Sequence, residues 1–165
     1  MSKVSAGLLI FKKPDNKLKV LLVHPGGPFW TKKDSWGIPK GLAGEGEDLL
    51  ASARREFAEE LGVPSPAGHA IDLGEAKLSG GKILTCFAIE SDFVAEYIKS
   101  NTTTIEWPPR SGKQLEIPEI DRARWFDAAS AVNKMHKGQE VFIHRLADKL
   151  DLSPDKPIDA QVSLF

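Results

Sequence analysis

From Val4 to Phe11 the chain is almost unbroken apolar sequence with small residues, which predicts a buried strand. Pro14-Asp15-Asn16 predicts the turn that follows. Lys19 to His24 is apolar again and predicts a second, central strand, and Ser35 to Gly41 a short third one. The period then changes. Leu50, Ala53, Phe57 and Leu61 share one stripe at roughly 100° per residue, the signature of an amphipathic helix. No Gly or Pro interrupts Asp48 to Leu61; Asp48 suits an N-cap, Gly62 the C-terminal glycine position, and Pro64 stops the helix.

Ile71 to Leu78 and Lys82 to Glu90 predict strands paired across Ser79-Gly80-Gly81. Ser91 to Ser100 reads as a short helical turn. Thr102 to Trp107 has strand propensity, and Pro108 to Lys113 ends it. Ile117 to Phe126 contains a Trp-bearing strand. Two helices follow, Asp127 to Met135 with Asp127 as N-cap, and Gln139 to Leu150 with Val141, Phe142, Leu146 and Leu150 apolar. The tail from Ser153, with Pro154 and Pro157, reads as extended. Three strands, a helix, four strands and two helices predict a mixed sheet with helices on its faces, an α/β (α+β) fold.

Composition narrows this picture. A chain of 165 residues that is 41% hydrophobic and 27% charged is expected to form one globular domain over 1–165. A net charge of -1 supplies no global attraction to nucleic acid or anionic membranes. The single cysteine, Cys86, sits in an apolar run and is expected in the core, where it can form no internal disulfide; that fits a reducing cytoplasm. No signal peptide is recognisable, and no apolar run approaches the ~20 residues of a membrane span.

The chemistry concentrates on the first helix. Glu56, Glu59 and Glu60, at i, i+3 and i+4, cluster on a face of their own. Three such carboxylates repel one another, and a hard cation such as Mg²⁺ would relieve that repulsion. A solvated acidic face is the other explanation. The glycine-rich loop Gly41 to Gly46 leads into the helix and permits close backbone approach to a ligand. Glu47 adds a fourth carboxylate, and Arg55 can brace the patch. Phe29 and Trp30, with Lys32 and Lys33, lie in a loop where aromatic faces could stack a base and lysines meet phosphate, or where the rings close over the core. His24 ends its strand, to pack there or to contact a phosphate. Arg110 and Lys113 form a small basic loop able to hold an anionic group, or a plain solvated turn.

Gly41, Glu47, Arg55, Glu56, Phe57, Glu59, Glu60, Gly62 and Val63 match every specified position of one long pattern: Gly, five residues, Glu, seven residues, Arg-Glu-apolar-any-Glu-Glu-any-Gly-apolar. In this the chain resembles the Nudix (MutT-like) hydrolases. The resemblance implies an α/β/α sandwich with a mixed sheet and a loop–helix–loop box. It implies Mg²⁺, with Mn²⁺ as the alternative, held by Glu56, Glu59, Glu60 and the backbone carbonyl of Lys40. Glu56, Glu59, Glu60, Arg55 and Glu119 are the implied catalytic group; the general base is Glu56 or a later-loop carboxylate, Glu119 first and Glu116 second. Phe29, Trp30, Lys40 and Arg110 are the expected substrate contacts.

The implied reaction splits a nucleoside diphosphate linked to a group X. The partner is then a small nucleotide rather than a membrane or a nucleic acid, and a nucleoside triphosphate or related nucleotide is the favoured substrate. In the family a tyrosine marks dinucleoside polyphosphate hydrolases and a proline marks ADP-ribose hydrolases, some fifteen to eighteen residues beyond the box. Leu78 to Gly81 fills that window with neither. Those two activities, an RNA 5′-pyrophosphohydrolase and a non-catalytic nucleotide-binding module stay open as alternatives.

Overall fold

The computed structural model describes residues 3–93 and 100–152. In chain order these form β1 (Val4–Lys12), β2 (Lys19–Pro25), β3 (Lys40–Leu42), α1 (Leu49–Leu61), β4 (Ala70–Lys77), β5 (Ile83–Glu90), β6 (Thr102–Glu106), β7 (Gln114–Pro118), β8 (Ile120–Asp127), α2 (Ala128–Lys134) and α3 (Val141–Leu150). The helical turn expected over 91–100 falls largely, and the tail from 153 wholly, outside the described residues.

β1 is the axis. One edge pairs with β5 in parallel, from Val4↔Ile83 to Phe11↔Glu90. The other edge is shared. Its first half pairs with β3 (Ser5↔Leu42, Gly7↔Lys40) and its second half with β2 (Ile10↔Leu21, Lys12↔Lys19), both antiparallel. The sheet runs β4-β5-β1-β2-β8, with β3 attached to β1.

Strand alternation splits the core in two. Ala6, Leu8 and Ile10 of β1 pack with Ala53, Phe57 and Leu61, the stripe expected of α1. Leu9 and Phe11 face the other way, with Leu84, Cys86 and Ala88 of β5 and Phe142, Ile143 and Leu146 of α3. The result is helix, sheet, helix, with box and sheet sharing β1 as their common wall. Cys86 is buried as expected, and burial raises its thiol pKa. Among the described residues no helix is long and apolar enough to cross a membrane.

The caps of α1 are the ones its sequence predicts. The Asp48 carboxylate accepts the Ala51 N–H at 3.0 Å. Gly62 closes the helix at φ 77°, where only glycine sits without strain, and its N–H donates to Ala58 O at 2.8 Å. Asp127 caps α2 by accepting the Ser130 N–H at 2.8 Å. Two expectations change. The short third strand is Lys40–Leu42 alone, because Trp36 and Gly37 make only isolated bridges to Met135 and Val23. And among the described residues five strands, not four, follow α1. Gln114–Pro118 pairs antiparallel with β6, from Thr102↔Pro118 to Glu106↔Gln114, as a separate two-stranded sheet. Both its strands are mostly exposed, so they carry no alternation of apolar residues to announce them.

Candidate active site

The last two turns of α1 lie against β3 and the loop that joins them. Arg55 organises one side of this face. Its Nε and Nη2 donate to the two oxygens of Glu47 at 3.0 and 2.9 Å. Nη1 donates to Glu56 at 2.6 Å and to Glu59 at 2.7 Å, and Nη2 also reaches Leu42 O at 3.2 Å. One planar guanidinium thus holds three carboxylates and the loop backbone. Glu47 also accepts the Gly44 N–H at 2.8 Å. Arg55, then Ser52 and Gly44, hold the Glu47 carboxyl down at about 2. The three carboxylates in turn raise the Arg55 pKa. Arg55 and Glu47 are thus joined directly, and Arg55 also ties the helix to the Leu42 carbonyl.

Gly41 explains why glycine opens the box. A Cβ there would stand 1.8 Å from Oε1 of Glu56. The Glu56 carboxylate therefore lies directly on the β3 backbone, a place no side chain at 41 could share.

Glu60 lives in different surroundings. It is partly buried and lies outside the reach of Arg55's hydrogen bonds. Burial first, and then the charges of Glu119 and Glu56, push its carboxyl up to about 8, against the lowering pull of the Lys40 ammonium and backbone amide. Glu119, in the turn between β7 and β8, is raised as well, by burial and then by Glu56 and Glu59. Asn101 stitches these pieces together: its N–H donates to Glu59 O at 3.2 Å and its carbonyl accepts the Glu119 N–H at 2.9 Å. Glu56, Glu59, Glu60, Lys40 and Glu119 therefore converge. Glu116 does not; it lies out on β7, accepting the Thr102 hydroxyl at 2.9 Å. Arg110 occupies the exposed tip of the β6–β7 hairpin, and no described contact joins it to α1.

The loop from Pro25 to Asp34 rises beside this face. Phe29 is 54% exposed, so it does not close over the core. Phe29 and Trp30 meet edge to face with centroids 5.1 Å apart, and Trp30 meets His136 at 5.3 Å. Lys33 Nζ stands 3.5 Å from the Phe29 centroid. Trp36, by contrast, is a core residue whose Nε1 donates to Asp34 at 2.7 Å. His136, held by Ser35 at 2.7 Å, is pushed down to about 4 by burial and then by the positive charge of Lys40. His24 is fully buried, between Asp121 and the Lys33 carbonyl. Its packed position agrees with one of the two roles expected of it. Asp121 was not singled out by the sequence, because 97 positions separate it from His24 and no local pattern joins them.

The NUDIX domain model matches residues 1–146, and the matched span includes the whole box just described. The chain belongs to the NUDIX family. An RNA pyrophosphohydrolase of Caulobacter vibrioides is 45% identical over 53 residues, 28% of this chain and 31% of that protein, so the match spans under a third of this relative. Among solved structures, the NUDIX domain of Shewanella oneidensis NrtR, complexed with ADP ribose, superposes with TM-score 0.64 at 18% identity, covering 91% of this chain and 89% of that one. A C. elegans Ap4A hydrolase gives TM-score 0.61 at 17% identity, covering 90% and 98%. At such identities the structural likeness establishes the fold.

Nudix hydrolases generally use divalent metal ions. The donor set here suits one: three carboxylates and a backbone carbonyl are hard oxygen ligands. Among the described residues, however, no three carboxylate, imidazole or thiol groups are oriented to hold an ion together. Arg55 takes one oxygen each of Glu56 and Glu59, Oε2 in both cases.

Proposed function

We propose that this Nudix chain hydrolyses a phosphoanhydride linkage of a nucleoside diphosphate joined to a group X, with Mg²⁺, and acts best on nucleoside triphosphates or related nucleotides. The observation that carries the reading is the Glu60 corner. A partly buried carboxylate, raised to about 8 mainly by burial, stands with Glu56 and Glu119 near it and only Lys40 to offset them, which suits a cation. Glu56, Glu59, Glu60 and the Lys40 carbonyl would hold the ion. When bound, it supplies charge neutralisation at the phosphate oxygens and acidifies a water.

The chain's own groups do the rest. Arg55 keeps Glu47 and the loop in place. Glu119, raised above the ordinary carboxylate value by burial and then by Glu56 and Glu59, and beside the cluster, is the better-placed late-loop carboxylate to take a proton from water, with Glu56 as the alternative. Phe29, with Trp30 behind it, offers an exposed face for a base, and Lys40 a cation for phosphate. The single buried cysteine suits a cytoplasmic setting.

Product release from a panel tests this: nucleoside triphosphates, dinucleoside polyphosphates, ADP-ribose, sugar nucleotides and 5′-triphosphorylated RNA, each with Mg²⁺ and beside Glu60→Gln. One dominant nucleotide, lost in the variant, is expected. Tight binding without turnover of any member would instead indicate a nucleotide-sensing module. The name of the Caulobacter relative supports a second reading, action on an RNA 5′ end. Preferred turnover of the RNA, with steeply salt-dependent binding, would favour it.

A further inference from the structure

β2 and β8 pair regularly until the active-site end, where the register slips. His24 pairs with Arg122, but the next residue, Pro25, pairs with Ile120. Asp121 is the extra residue of a bulge, a device that re-aims a side chain. Here it turns the Asp121 carboxylate onto His24, Oδ1 to Nδ1 at 2.9 Å. The other ring nitrogen, Nε2, lies 2.6 Å from the carbonyl of Lys33. The Lys33 carbonyl can only accept, so Nε2 donates to it, and the one ring spans both segments. The ring is fully buried and braced edge-on against Trp36 with centroids 5.0 Å apart.

What His24 holds at either end matters more than the ring itself. Lys33 belongs to the aromatic loop and lays its ammonium over Phe29. Asp121 lies two residues beyond Glu119. A second clasp runs beside the first, because the Gly26 N–H donates to Glu119 O at 3.1 Å. A Cβ at Gly26 would stand 2.2 Å from Pro118 O, so this contact is already at its limit.

We infer that His24 is a positioning residue that fastens the Phe29 loop to the Glu119 segment, setting substrate grip through Lys33 and proton-transfer geometry through Asp121. The inference rests on the reading of Phe29 and Glu119 given under Proposed function.

Two amides separate the arms. In His24→Asn the shorter amide can donate to Asp121 but not to Lys33 O; in His24→Gln the longer one reaches Lys33 O and gives up Asp121. With the preferred nucleotide, His24→Asn is expected to raise KM about tenfold and spare kcat, whereas His24→Gln lowers kcat about tenfold and spares KM. His24→Phe, which keeps the ring and loses both bonds, should show both effects. Parallel losses of kcat and KM in all three, tracking their melting temperatures, would overturn the inference by reducing His24 to a packing residue.

Should the amide variants fail to fold, Asp121→Asn takes their place. A change confined to kcat supports the inference, and equal changes in kcat and KM overturn it. If the wild-type chain turns over no nucleotide, the proposed function falls on its own account. ATP titration followed by tryptophan fluorescence then reads the loop arm alone: affinity weakened in His24→Asn and kept in His24→Gln supports the clasp, and equal affinities overturn it.

Discussion

Glu59 and Glu60 are neighbours on one helix and belong to different chemical worlds. Glu59, with Glu56 and Glu47, is hydrogen-bonded by the Arg55 guanidinium, and Glu47 is held down at about 2. Glu60 takes no hydrogen bond from Arg55 and is pushed up to about 8. Helical periodicity gathers the carboxylates into one patch, but the reach of one guanidinium divides the patch into a side braced by Arg55 and a more buried side that it does not touch. An acidic cluster is therefore not a uniform object. Where its cation sits decides which members hold structure and which remain available.

The comparison is tested most strongly by removing the available side. Glu60→Gln should lower kcat about a thousandfold with the fold retained, read by steady-state rates and circular dichroism. An equal loss in Glu47→Gln would erase the distinction between the two sides. Arg55→Ala should come next. It frees Glu56 and Glu59 and unlatches the loop, so turnover falls by about a hundredfold while Mg²⁺ binds more tightly, as calorimetry would show. Weaker Mg²⁺ binding would mean that Arg55 prepares the ion's site rather than competing for it.

A smaller effect lies in pH. The folded Glu60 carboxyl is raised, so its folded form holds a proton that the unfolded chain releases. Its contribution to stability is full below the unfolded value and is lost as pH rises through about 8. The metal-free protein should melt a few degrees lower at pH 9 than at pH 6, with a flatter profile in Glu60→Gln. Mg²⁺ requires the ionised form, so its stabilisation should grow over the same interval. The smallest effect belongs to Glu47, whose folded value is depressed. Its contribution is present above the unfolded value and fades as pH falls toward about 2. Glu47→Gln should lower the melting temperature slightly at pH 7 and not at all at pH 2.

Local sequence carried the parts that depend on neighbours along the chain. The α1 stripe, the Asp48 cap, the Gly62 stop and the β4–β5 hairpin all follow from spacings of a few residues. So did the carboxylates of the box and their brace. The β7 strand was not legible, because an exposed ladder of Gln, Leu, Glu, Ile and Pro has no buried face to impose a period. Nor was the division of the acidic patch, which depends on where a side chain ends rather than where its residue begins. The His24–Asp121 pair lay further beyond reach still, since it joins a strand end to a bulge that exists only once β2 and β8 have met.

The shared edge of β1 has a consequence for how the molecule comes into being. A strand whose partners start at residues 19, 40 and 83 cannot finish its sheet while the chain is still emerging from the ribosome at residue 70. The box helix is by then fully synthesised, with its apolar stripe facing a half-built wall. Only β5, laid down alongside β1 in parallel, completes that wall, and pairing across such a separation is slow. The signature that identifies the family is thus made before the strand that completes its wall, and that strand carries no part of the signature.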